Sequence, residues 1–314
     1  MKKALYRLVR ILAWVLLSLT VWMATPADYF ATVYPFVSRD PESITRYEGN
    51  GDHKTAFVFF GGAQDSATAL SAPLRDQWLQ RDDVVVVEFN RILFDGDQTS
   101  YDTYRKLHEW GYEKVILDGA SIGGRVATGT IDCDRKYGLS DYKKNLKFAV
   151  MLQDAPVDIE DLYQRDSAKS WSTVWWAGQM TNLLLTRLFW DINFNPPPRD
   201  QLGAGVDDNQ LAAQYEASRT YPLSGWLGQI RYIDSRSDST NKIAPKTYYD
   251  VPLVLMQSDG DTVVKPTADR WGGLFASMTV IPVHSGHIDF VENPGEWRTA
   301  FGKGFEALSK VPGW

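Results

Sequence analysis

Lys114-Val115-Ile116-Leu117-Asp118-Gly119-Ala120-Ser121-Ile122-Gly123-Gly124-Arg125-Val126-Ala127 is the stretch that decides the fold. A short apolar run from Lys114 to Leu117 reads as a buried strand, and the pattern from Ile122 to Tyr137 reads as a helix. Between them lies Gly119-Ala120-Ser121-Ile122-Gly123, a glycine-flanked serine at a strand-to-helix turn. On so sharp a turn the serine hydroxyl projects above the sheet edge, and its small neighbours admit the strained backbone. The helix N-terminus behind it favours developing negative charge. The plainer reading of the same residues is a glycine-rich turn that packs strand against helix.

Outward from this stretch, short apolar and β-branched runs recur at Thr55 to Phe60, Val84 to Asn90, Phe148 to Gln153, Val251 to Gln257 and Met278 to Val283. They are continuous rather than alternating, which indicates strands covered on both faces. Helical patterns at Ala67 to Gln80 and Tyr101 to Trp110 fall between them. Strand and helix in regular succession predict an α/β fold with a mostly parallel sheet and helices on both faces. The rhythm breaks over residues 155–250, where two strand candidates are too far apart for a simple crossover. We read that interval as an inserted helical cap or lid, with the core in residues 28–154 and 251–314. Trp171, Trp175 and Trp176 form one aromatic face of the insert at helical spacing, suited to roofing an apolar acyl pocket or to packing the cap onto the sheet.

A serine nucleophile needs a base held in the correct tautomer by an acid. The chain has four histidines. His53 and His108 suit solvated or structural roles, whereas His284 and His287 follow the last strand candidate. Loops at the carboxyl ends of parallel strands share one crevice. His287, after the flexible Gly286, is the assigned base, with His284 as the alternative. For the acid, Ser258-Asp259-Gly260-Asp261 follows another strand. Asp261, past the glycine, is preferred; Asp259 is expected to brace the turn, and Asp154 is an outside candidate. The oxyanion of a tetrahedral intermediate needs two backbone donors. Ile122 offers one, and Gly62 or Ala63 in Phe60-Gly61-Gly62-Ala63-Gln64 offers the other.

Composition limits the alternatives. With 314 residues, 44% hydrophobic, the chain can bury a core without staples, and its single cysteine excludes an internal disulfide framework. Net charge is −6 with no basic stripe, so nucleic acid is not an expected partner. Residues 1–27 open with Lys2, Lys3, Arg7 and Arg10 and continue into an apolar run from Ile11 to Ala24. This is the pattern of a secretory signal peptide or, if retained, a single membrane anchor. Either places the remainder outside the cytoplasm, in a periplasmic, extracellular or membrane-tethered setting.

The Gly-Gly-Ala loop, the Gly-Ala-Ser-Ile-Gly-Gly turn, Asp-Gly-Asp-Thr-Val-Val and Ser-Gly-His, in the order nucleophile, acid, histidine, resemble the α/β-hydrolase superfamily. The likeness spans about residues 50–155 and 250–310. It implies an eight-stranded sheet, a cap after the sixth strand and a Ser121, His287, Asp261 triad. It also implies acyl-enzyme hydrolysis of a small-molecule carboxylic ester or related acyl bond, with no metal or organic cofactor. Acyl transfer is an alternative outcome, as is a silent binding module anchored at a membrane. The sequence departs from the family in having Phe60 or Gly61 where a histidine of the oxyanion motif is usual.

Overall fold

The computed structural model describes residues 43–62, 67–89, 94–163, 165, 202–203, 206–209, 211–212, 228–235, 247–287, 289–312 and 314. Seven strands lie among them: β1 Ser43–Tyr47, β2 Thr55–Phe60, β3 Asp83–Glu88, β4 Lys114–Ala120, β5 Lys147–Gln153, β6 Tyr248–Ser258 and β7 Phe275–Val283. They form one sheet in the order β1-β3-β2-β4-β5-β6-β7. The edge strand β1 runs antiparallel to β3, and every other pairing is parallel. Seven strands lie among the described residues where the resemblance implies eight, and the 155–250 interval follows β5. That interval lies mostly outside the described residues, as do residues 1–27 and Trp171, Trp175 and Trp176. No helix among the described residues is long and apolar enough to cross a membrane.

Among the described residues are the helices α1 Ala67–Trp78, α2 Gly96–Glu109, α3 Gly123–Asp141, α4 Ala268–Leu274, α5 Asp289–Glu292 and α6 Pro294–Ser309, with further helical residues at 228–235. Alternation along the strands splits the core into two layers. Ala56, Val58 and Phe60 pack with Leu107 of α2, Val126 of α3 and Trp271 of α4. Phe57 and Phe59 face the other way, toward Leu70 of α1 and Trp297 and Phe301 of α6. Both faces are therefore covered, which explains the unbroken Val84 to Val87 run, where each buried valine contributes about 1.5–3 kcal/mol.

Local chemistry sets the helix starts. Asp95 caps α2 by accepting from Asp97 N–H at 3.1 Å and Gln98 N–H at 3.0 Å. Asn293 caps α6, with Pro294 in its first turn. Register aligns the carboxyl ends of three strands, since Phe60 sits opposite Gly119 and Ala120 opposite Gln153. The residues that leave β2, β4 and β5 therefore emerge along one edge.

Candidate active site

Ser121 leaves β4 with φ +49°, a left-handed conformation that a serine adopts only under constraint. Its N–H donates to Gln153 O at 2.7 Å, and its carbonyl accepts from Gly124 N–H at 3.0 Å, so one bond ends the strand and the next begins the helix. Glycine is required two residues on. A Cβ at Gly123 would stand 2.5 Å from Gly61 O and 2.6 Å from Phe60 O. The serine turn is thus pressed against the loop that leaves β2. Ile122 and Gly62 are buried at this junction. Ile122 presents an N–H at the start of α3, where backbone donors lack an intrahelical acceptor. Ala63 lies outside the described residues.

His287 comes from the segment after β7 and Asp261 from the turn after β6. His287 Nε2 lies 3.0 Å from Ser121 Oγ, and its Nδ1 lies 2.8 Å from Asp261 Oδ2. With a carboxylate that only accepts on one side, the geometry suits the tautomer in which Nδ1 donates to Asp261 and Nε2 accepts from the serine hydroxyl. The other oxygen, Asp261 Oδ1, accepts from Val263 N–H at 2.6 Å and Val264 N–H at 2.9 Å. The side chain is thereby oriented from both ends. A clamp from the segment after β5 holds this turn, with Tyr163 N–H on Val263 O at 3.0 Å and Lys265 N–H on Asp161 O at 2.7 Å. Arg270 of α4 fastens the clamp by bonding Asp158 and Asp161.

The alternative residues are engaged elsewhere. His284 pairs with Asp259 at 2.5 Å on the exposed surface, and that carboxylate, with Glu296, raises the His284 pKa. Asp259 therefore does not brace the turn with its own side chain; the Asx-type bonds expected of it belong to Asp261. His53 bonds buried Asp83 at 2.7 Å, and buried His108 bonds Asp134 at 2.6 Å. Both are structural pairs on other parts of the molecule.

Asp154 is drawn into the same neighbourhood. It has φ +45°, and its two oxygens accept from Ser258 N–H and Ser258 Oγ–H, each at 2.6 Å. Asp154, Asp261 and His287 each bring a ligand-type atom within 4.8 Å of the others, the one described group with metal-ligand chemistry at this edge. Their close contacts are already satisfied by hydrogen-bond donors, which suits proton handling. Burial, reinforced by the Asp261 charge, lifts Asp154 to a pKa of about 7. Asp289 of α5, fully buried with one carboxyl oxygen unpartnered, is also raised, first by burial and then by Asp154. Sequence reading missed Asp289 because an acid opening a helix is ordinary; only its burial sets it apart.

No family model matches the sequence, and no curated protein does. Solved structures do match. An esterase from Thermogutta terrifontis superposes with TM-score 0.58 at 16% identity, covering 86% of this chain and 93% of its own. An α/β-hydrolase family protein from Desulfitobacterium hafniense gives 0.56 at 11%, with 85% and 100% covered. A hydrolase from Oleispira antarctica gives 0.56 at 10%, with 87% and 96% covered. The chain has the α/β-hydrolase fold.

Proposed function

We propose that the chain is a serine hydrolase that cleaves a carboxylic ester or related acyl bond. One observation carries this reading: the continuous line from Asp261 through His287 to Ser121, at 2.8 and 3.0 Å, on three separate loops at one sheet edge. Ser121 Oγ attacks the acyl carbon as His287 Nε2 takes its proton, and Asp261 stabilises the imidazolium that forms. The N–H of Ile122, with that of Gly62 or Ala63, receives the oxyanion, each donor contributing about 10²–10³ in rate. His287 then protonates the leaving group. Water, deprotonated by the same imidazole, then attacks the acyl carbon; the bond to Ser121 Oγ breaks, the carboxylic acid leaves and His287 returns the proton to the serine.

Residues 155–250 serve in this reading as a cap over the serine, with Trp171, Trp175 and Trp176 toward the acyl group, and residues 1–27 direct export or hold the protein at a membrane. The likeness of fold to esterases supports hydrolysis as the class of reaction. The test is labelling with a fluorophosphonate followed by peptide mass spectrometry. A stoichiometric adduct on Ser121, absent from S121A and lost in H287A, is the expected result. A folded, accessible wild-type protein that forms no adduct refutes the reading and favours a silent binding module.

A further inference from the structure

Arg125 lies one helical turn beyond Ser121, in the first turn of α3, and is only 2% exposed. Its main chain is engaged: the N–H donates to Ile122 O at 2.9 Å, and the carbonyl accepts from Thr128 Oγ at 3.0 Å. Its side chain is different. Nε and Nη1 are both buried and make no hydrogen bond. The guanidinium carbon stands 5.7 Å from the ring centroid of Trp271, which is itself buried and fixed by its Nε1–H on Ala155 O at 2.8 Å. Ala155 follows Asp154 off the end of β5, and a Cβ on Gly124 would meet it at 2.5 Å. The guanidinium is therefore packed between α3 and α4, close behind the serine turn.

A guanidinium is a permanent cation with five N–H donors, and burying one without an acceptor is strongly unfavourable. The Trp271 face offsets part of this through cation–π attraction, yet it accepts none of the in-plane N–H groups. Among the described residues no carboxylate is paired with Arg125. Such a group calls for an acceptor, and a bound ligand is one source of it. We propose that Arg125 binds a carboxylate carried by the substrate, so that the preferred substrates are acyl compounds with a free carboxylate a short chain away from the scissile carbonyl. A carboxylate fits better than a phosphate. It is planar and singly charged, it matches the guanidinium fork two bonds to two, and the chain's net charge of −6 opposes a dianion. Ser121 and Arg125 are four residues apart across the turn from β4 into α3, so half-esters of short dicarboxylic acids are the compounds to test first.

The inference refines the hydrolase reading above, and its test separates the two. Methyl hydrogen glutarate is compared with methyl 5-methylhexanoate, in which an isopropyl group replaces the carboxylate. Wild type is expected to favour the half-ester in kcat/KM. R125M is expected to lower kcat/KM for the half-ester by about 10- to 100-fold and to change the neutral ester by less than about 3-fold, the loss of a charge-assisted pair. R125K, which keeps the charge but not the fork, falls between. Binding is read independently of turnover in S121A, where glutarate raises Tm in a concentration-dependent way that S121A/R125M abolishes. No preference for the half-ester in wild type, or equal losses on both esters in R125M, overturns the proposal. Stronger stabilisation by inorganic phosphate than by glutarate overturns the choice of carboxylate. If Ser121 takes no fluorophosphonate and neither ester turns over, the hydrolase reading fails, and the glutarate shift alone then decides for or against Arg125. Should R125M not fold, the wild-type preference and R125K remain decisive.

Discussion

Gly123→Ala is the perturbation that most directly probes the serine turn. The added methyl would sit 2.5 Å from Gly61 O, 2.6 Å from Phe60 O and 3.0 Å from Phe60 C. All three are backbone atoms, so no side chain can swing aside. Ordinary separation returns only if the loop after β2 and the start of α3 part by about 0.5–1 Å. Two terms oppose each other in stability. Ala in place of Gly in a helix is worth about 1 kcal/mol, and overpacking costs about 1–3 kcal/mol, leaving a net loss of about 0–2 kcal/mol. Activity is more sensitive, because the gap opens between Ile122 and the loop of Gly62 and Ala63, which carry the proposed oxyanion donors. A displacement near 1 Å costs about 10²-fold, so kcat should fall by about 10- to 100-fold with KM little changed. Steady-state ester hydrolysis and urea denaturation of the same preparation measure both. Gly302→Ala is the control: nothing lies within 4 Å of its added methyl, so it should leave kcat unchanged and stabilise slightly. A G123A protein with wild-type kcat and a wild-type midpoint would show that the loop and the helix do not meet as described.

Asp261→Asn should lower kcat by about 10³–10⁴-fold in a folded protein by allowing the wrong His287 tautomer, whereas Asp259→Asn, whose partner is the exposed His284, should stay within about 3-fold; initial rates on one ester decide. Asp118 is fully buried against Gln153, and burial lifts its pKa from 3.8 to about 7. The folded state therefore keeps this proton up to about pH 7, while the unfolded chain releases it near pH 4. The contribution is complete below pH 4 and is lost as pH rises through 7. D118N does not titrate, so its stability relative to wild type should rise across pH 4–7 by up to about 4 kcal/mol and then level off, as read by urea midpoints. Arg270→Met leaves Asp158 and Asp161 buried without their cation, and with Arg270 about a third exposed the loss should be about 2–4 kcal/mol, with a fall in kcat as the Asp261 turn loosens; unchanged Tm and kcat would remove the clamp from the argument.

The parts of the fold legible in sequence are those that two-sided burial imposes. Strands β2 to β6 need unbroken apolar runs because helices cover both faces, and such runs are visible without coordinates; β7, the other edge strand, carries a similar run from Met278 to Val283 yet is largely exposed, so two-sided burial does not explain it. β1 was not visible. Ser-Ile-Thr-Arg-Tyr is a half-exposed edge, and its one buried charge pairing, Arg46 on Asp83, depends on a strand 37 residues away. The start of α2 was read five residues late because Gly96 and the Asp95 cap look like a turn; a Cβ at Gly96 would strike the Tyr232 ring, a contact no local pattern announces. The site followed the same division. Chain order and loop position singled out Ser121, Asp261 and His287, because a parallel sheet gathers its carboxyl ends. Arg125 escaped notice since an arginine in a helix is normally solvated, and its burial arises from Trp271 far along the chain.

The choice between Asp154 and Asp261 shows what sequence cannot weigh. β5 and β6 are neighbours with Gln153 opposite Met256, so the residues after both strands reach the same imidazole. What separates the two acids is how each spends its oxygens. Asp154 gives both to Ser258, whereas Asp261 gives one to backbone N–H groups and keeps the other for His287. Their charges are also coupled. With its pKa lifted to about 7, Asp154 is largely neutral in mildly acid solution. The Ser258 hydroxyl can donate or accept, so it serves either form of Asp154. As pH rises through 7, Asp154 ionises and adds a carboxylate charge beside the imidazole. Asp154 is thus a buried acid whose two oxygens are held by Ser258, whereas Asp261 is the acid hydrogen-bonded to His287.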